Sequence, residues 1–259
     1  MIAVVRAFQG EWLKTRHSLA WWLLLGGSLF TPLVIIVARL VQHRRLASIY
    51  AAADFWPHLW QDAWQSMAIF FLPLFAILVT SLITQTEHRN NAWKQVHVLP
   101  LGLGAIFLSK LGVIVLLLLQ FFVLFNLGIW LSVIVPCQLI AAVPCPQDTM
   151  PLEDFLRDNA RYFVDCLPII ALQYLFGLRF RNFLVPLGIG FLMWIGALAA
   201  LPWKFGYLVP YTYSMLDYLK HNPGKAFIPT VDIHFFALGY AVAFTVAAYM
   251  LFRAMKERG

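Results

Sequence analysis

Residues Leu111–Val135 read LGVIVLLLLQFFVLFNLGIWLSVIV, with no Asp, Glu, Lys, Arg or His among them. A helix needs about 20 mostly apolar residues to cross the roughly 30 Å hydrocarbon core of a bilayer. This stretch meets that length with residues to spare. A transmembrane barrel would instead show short segments of alternating hydrophobicity, and the sequence has none. Outward from this stretch, five more runs have the same character: Ser18–Ala38 and Ser66–Thr84 before it, and Tyr162–Leu178, Phe183–Leu201 and Ile233–Phe252 after it. Tyr162–Leu178 is short and holds Asp165 and Pro168. The expectation is an all-α polytopic membrane protein, six transmembrane helices in a single domain over residues 1–259.

Composition agrees. Apolar residues make up 61% of the 259 and charged residues 12%, against roughly 45–50% and about 25% in soluble domains. Mean hydropathy is +0.76. A soluble globule could not hide this much apolar surface, which excludes a soluble enzyme, a disordered tail and a small secreted module. The net charge of +7 does not make the chain a nucleic-acid binder, because Lys and Arg in a membrane protein set orientation. With the termini inside, eleven of the nineteen Lys and Arg fall on the inner side and eight on the outer. The inner ones sit in short, dense segments. Both termini are therefore expected in the cytoplasm. The long stretch before Ser18 lacks the features of a cleaved signal peptide, so the first span is expected to be an anchor.

Between the spans, several stretches point to roles. Ile2, Val5, Phe8 and Trp12 recur at helical spacing, with Arg6, Glu11 and Lys14 on other faces. Such a helix either lies in the membrane interface or is an ordinary basic flank. The polar loop Thr86–Pro100 is long enough for a short helix that ends at the proline. There Trp93 could anchor a soluble partner, with Arg89 and Lys94 at the rim; a solvated loop fits equally. Trp56, Trp60 and Trp64 at i, i+4 and i+8 suit an aromatic membrane belt or a surface for a lipid or peptide. Cys137 and Cys145 share an outer loop and either pair or stay free, while Cys166 reads as an apolar filler. Pro202–Val231 is too polar to span. It either dips into the outer leaflet under cover of protein or runs along the surface.

Few polar side chains fall inside the spans. Gln120 and Asn126 lie in the third, and Asp165 and Gln173 in the fourth, which makes these four the candidate pathway residues. Asp165 is the one ionisable group that could relay ions, and it lies near an expected helix end. Gly239, Ala243 and Ala247 form a small-residue stripe for close helix approach, within the chain or between chains. No zinc-protease motif, nucleophile elbow or phosphate-cradling loop occurs. The chain is expected to hold no metal, no cofactor and no catalytic residue of its own.

The segment Glu11-Trp12-Leu13-Lys14-Thr15-Arg16 before an apolar span resembles the start of ABC type-2 permeases. Glu87-His88-Arg89-Asn90-Asn91-Ala92-Trp93-Lys94, followed by Leu99-Pro100 and Ser109-Lys110-Leu111, is similar to the loop after the second span in the lantibiotic-immunity branch of that family. The resemblance implies an exporter permease in the bacterial cytoplasmic membrane whose ATPase, carrying ATP and Mg, is a separate chain. It implies an amphipathic elbow helix with Val5, Phe8 and Trp12. It also implies a coupling helix over about Glu87–His97 that touches the ATPase through Glu87, His88, Arg89, Asn90, Asn91, Trp93 and Lys94. An outer re-entrant segment over Pro202–Val231 and a second permease chain, identical or related, complete the implied assembly. The loop Pro136–Arg161 departs from the family pattern, so cargo does not carry over from immunity transporters. The cargo expected from the aromatic outer segments is amphipathic: a peptide antibiotic, a lipid or a lipid-linked molecule. An ion-coupled carrier is the competing class.

Overall fold

The computed structural model describes residues 2–16, 18–52, 54–89, 102–140, 143, 145–146, 149–220, 224 and 226–256. The described residues contain helices and turns and no strand. In chain order the α-helices are α1 (Ile2–Arg16), α2 (Leu19–Val41), α3 (Leu46–Tyr50), α4 (Phe55–Ser66), α5 (Leu72–Arg89) and α6 (Leu103–Leu139). After these come α7 (Leu152–Arg179), α8 (Leu184–Ala200), α9 (Tyr213–Leu219) and α10 (Ile233–Lys256). Five helical stretches are long and apolar enough to cross a membrane: Leu19–Val41, Phe55–Gln85, Leu103–Leu139, Leu152–Arg179 and Ile233–Ala254. Leu184–Ala200, the fifth span expected from sequence, is apolar but shorter.

The polar and apolar residues are distributed as lipid requires. Thr80, Ser81, Asp165 and Gln173 are buried, while Phe30, Val123, Leu192, Phe235 and Val242 face outward. In water the reverse would hold. α10 packs chiefly on α7, α2 on α6, and α5 on α7, with α1 lying across α6.

Three spans run longer than the sequence suggests, among them the second, from Phe55 to Gln85 in place of Ser66–Thr84. α6 has 37 residues, about 55 Å at 1.5 Å per residue, so it projects beyond the hydrocarbon core. α7 starts at Leu152, ten residues before the expected Tyr162. The polar opening turns LEDFLRDNAR are helical because Glu153 and Asp154 sit in the first turn, where the helix dipole favours negative charge, and because Phe155 is buried. Asp165 consequently lies midway along α7 and not near its end.

Glycines allow two tight helix crossings. A Cβ at Gly128 would come within 2.7 Å of the Pro32 ring, so α2 and α6 meet there. A Cβ at Gly177 would overlap Thr84 Oγ1 and approach its Cβ to 2.7 Å, which brings α7 against α5.

The second span is one continuous helical run with a fault in it. Met67–Phe71 forms a π turn in which the Leu72 N–H reaches back five residues to the Met67 carbonyl. This leaves the Ala68 carbonyl without its α-helical donor. Pro73 has no N–H to give to Ile69. Both carbonyls are satisfied from elsewhere: Ser214 Oγ donates to Ala68 O at 2.9 Å and Trp194 Nε1 to Ile69 O at 2.9 Å. Backbone polar groups inside a membrane must be satisfied within the protein. Here the fault ties α8 and α9 to the second span.

The segment after α8 is exposed at both its ends and buried in its middle. It passes through two 3₁₀ turns, Gly206–Leu208 and Pro210–Thr212, into α9. Tyr211, Thr212, Tyr213, Ser214 and Met215 are buried. The Phe227 N–H closes the excursion on the Leu201 carbonyl at 2.8 Å. The stripe Gly239, Ala243 and Ala247 faces outward; the side of α10 turned into the protein carries Ile233, Ala237, Ala248 and Phe252. The stripe therefore does not mediate packing within the chain.

Candidate functional site

The chain can act at two ends. The end at which α1 lies holds the start of α2, the end of α5 and the start of α6. Glu11 of α1 joins it together: its carboxylate takes Lys14 Nζ at 2.7 Å and lies 3.6 Å from Lys110 Nζ of α6. Lys110 is 3% exposed and Glu11 12%. Burial acts to raise the Glu11 carboxyl, but Lys110 and Lys14 outweigh it and hold it below the usual carboxylate range. Phe8 packs against Gly112, and Trp12 meets Trp21 edge to face with centroids 6.2 Å apart. Val5 is exposed. Ser18 caps α2 by accepting from the Ala20 N–H at 3.2 Å.

At the same end, Gln85 Nε2 donates to the Arg181 carbonyl at 2.6 Å, so α5 is tied to the turn between α7 and α8. Of the residues expected in a coupling helix, Glu87, His88 and Arg89 close α5. The side chains of these three, and all of Asn90, Asn91, Trp93 and Lys94, lie outside the described residues.

The four candidate pathway residues have separate surroundings. Asn126 and Asn159 exchange two hydrogen bonds, at 2.9 and 3.1 Å, and thereby lock α6 to α7. Gln173 donates to Tyr211 Oη at 3.0 Å, and a Cβ at Gly190 would overlap its amide nitrogen. Gln120 is half-buried, with its carbonyl oxygen unpartnered among the described residues. Asp165 is fully buried and accepts from His234 Nδ1 at 2.9 Å.

That last contact opens a cluster the sequence did not disclose. His234 Nε2 lies 3.6 Å from Asp217 Oδ1, which takes Lys220 Nζ at 2.6 Å. A chain of charge thus runs from the middle of α7, through the first turn of α10, to α9. Asp217 and Lys220 pair at i,i+3 spacing, but Asp165 lies 69 residues from His234, and no spacing links either of them to that pair. The one local signal is Asp232-x-His234 at the head of the last span, where Asp232 accepts the His234 backbone N–H.

The Trp row is interior and not an interfacial belt. Trp56, Trp60 and Trp64 are all buried. Trp60 stacks on Phe155 with centroids 3.9 Å apart, Trp64 on Tyr162 at 3.8 Å, and both pack on Phe125. Cys137 and Cys145 are joined in a disulfide and Cys166 is free and buried. Among the described residues no group of three His, Cys, Asp or Glu could hold a metal ion.

A family model described as ABC-2 family transporter protein matches residues 7–197. The chain belongs to that family. As an ABC-2 permease it is an integral membrane component of an ABC transporter, a role that is typically non-catalytic and is exercised together with an ATPase subunit. The match takes in α1 through most of α8. Asp217, Lys220 and His234 lie beyond it. No curated protein matches the chain.

Proposed function

We propose that this chain is the permease subunit of an ATP-driven exporter for amphipathic cargo, of the lantibiotic-immunity type. In this reading residues 1–259 form one transmembrane domain that crosses the bacterial cytoplasmic membrane six times, with both termini in the cytoplasm. Leu184–Ala200 makes the short fifth crossing. α1 is the elbow helix, held by Glu11 on Lys110. Pro202–Val231 is the re-entrant segment on the outer side, and two such chains, identical or related, enclose the path. The ATPase, with its ATP and Mg, is a separate chain that meets the coupling helix over about Glu87–His97.

The observation that carries this reading is the family match over residues 7–197. Membership makes an ATPase the expected driver, and in this reading force enters through the loop after α5 on the cytoplasmic side. The tie from Gln85 to Arg181 and the packing of α5 on α7 give a push there a route into the bundle.

Trp93→Ala tests the coupling role. An aromatic anchor filling a groove on a partner costs 2 kcal/mol or more when truncated, about thirtyfold in affinity. The variant is expected to insert and fold as wild type while ATPase binding, measured by titrating the purified ATPase onto the chain in nanodiscs, weakens by about that factor. Unchanged binding would remove Trp93 from the interface. Loss of folded protein would make it a membrane anchor instead.

A second reading, an ion-coupled carrier, has one observation in its favour. The pair of buried Asp165 and partly exposed His234 is the kind of group that relays protons through membrane proteins. Such a carrier would need no ATPase.

A further inference from the structure

At the end of the bundle opposite α1, a cavity of about 660 Å³ opens between α4, α7, α9 and the chain entering α10. That volume is in the range that encloses a drug-sized molecule. Its aromatic lining comes from Trp60, Trp64, Phe155, Tyr162 and Tyr218. Four carboxylates, Asp154, Asp158, Asp217 and Asp232, line it as well, against three bases, Arg161, Lys220 and His234. All three are already engaged: Lys220 by Asp217 at 2.6 Å, Arg161 by Asp158 at 3.4 Å and His234 by Asp165 at 2.9 Å. The excess charge is negative, and a cleft walled by apolar material concentrates that field.

We propose that this cavity binds a drug-sized amphipathic organic cation. The cationic centre sits between Asp158 and Asp217, sharing these carboxylates with Arg161 and Lys220, in reach of the aromatic rings that favour a desolvated cation. The apolar body lies along Trp60 and Tyr162. An anion would have to displace carboxylates from Lys220 and Arg161 and face the remaining acids. As a statement about cargo, the proposal rests on the permease reading above; as a statement about binding, it does not.

Equilibrium binding of radiolabelled tetraphenylphosphonium to the full chain in nanodiscs, without any ATPase, tests it. Tetraphenylborate serves as the competitor, because it has the same shape and the opposite charge. The expected result is saturable binding near one cation per chain, not displaced by tetraphenylborate. In the Asp158→Asn, Asp217→Asn double variant, affinity is expected to fall at least tenfold. No saturable component, equal displacement by tetraphenylborate, or unchanged affinity in a folded double variant would each overturn the proposal. Should the double variant not fold, the charge comparison on the wild-type chain decides. Saturable, charge-selective binding by a chain that recruits no ATPase would support the cavity and sink the permease reading; recruitment of an ATPase without saturable binding would do the reverse.

Discussion

Glu11→Ala is expected to destabilise the protein by about 2 kcal/mol or more, well above the figure for an exposed pair, because it takes a carboxylate away from a buried ammonium. Lys110 is 3% exposed and lies 3.6 Å from Glu11. Deleting the carboxylate takes away one neutralising partner in a place where water cannot take over its role. Lys14 is the internal control. It also contacts Glu11, but it is half exposed, so Lys14→Ala should cost under about 1 kcal/mol. Reversible unfolding in mixed micelles measures both. Equal, small losses would show that α1 is not held to α6 by this pair. The pair also sets a pH dependence. Glu11 titrates below its ordinary 4.5 in the folded protein. Its contribution is therefore complete above that value and is lost as pH falls through the lowered one. Wild type should lose this part of its stability in acid, and Glu11→Gln, which lacks it throughout, should show a flatter profile.

Trp64→Ala is expected to cost about 3–5 kcal/mol, as removal of a large buried aromatic does. Trp64 is stacked on Tyr162 and packed on Phe122 and Phe125. Trp22→Ala should cost little, since Trp22 is 70% exposed on the outer face of α2. Thermal unfolding of the two variants in the same detergent separates an interior role from an interfacial one. A membrane-belt Trp at position 64 would tolerate the change about as well as position 22.

These two cases show what was legible in the sequence. Uninterrupted apolar length exposed the long helices, because the hydrocarbon thickness sets a hard minimum. The i, i+4, i+8 Trp row was visible, but its facing was not: an aromatic stripe suits lipid interface and protein interior equally, and only Phe125, Phe155 and Tyr162 on other helices decide between them. The polar first turns of α7 read as loop because they do not resemble a span, although Glu153 and Asp154 were a helix-start signal. Asp165 was noticed as an intramembrane charge, yet its partner His234 lies 69 residues away, and pairing at that separation depends on how α10 docks on α7. The π turn at Met67–Phe71 was legible only in part. Pro73 announced a disturbance, but Ser214 and Trp194, which satisfy it, come from distant segments.

The central claim is that an ATP-binding-cassette subunit drives this chain. The most direct measurement is ATP hydrolysis by such a subunit, co-expressed and purified through a tag on this chain in nanodiscs, with and without the chain present. The account predicts a stable complex in which the chain raises the ATPase rate, and a rate that is indifferent to a protonophore in sealed vesicles. A chain that purifies alone and leaves the ATPase rate unchanged would contradict it.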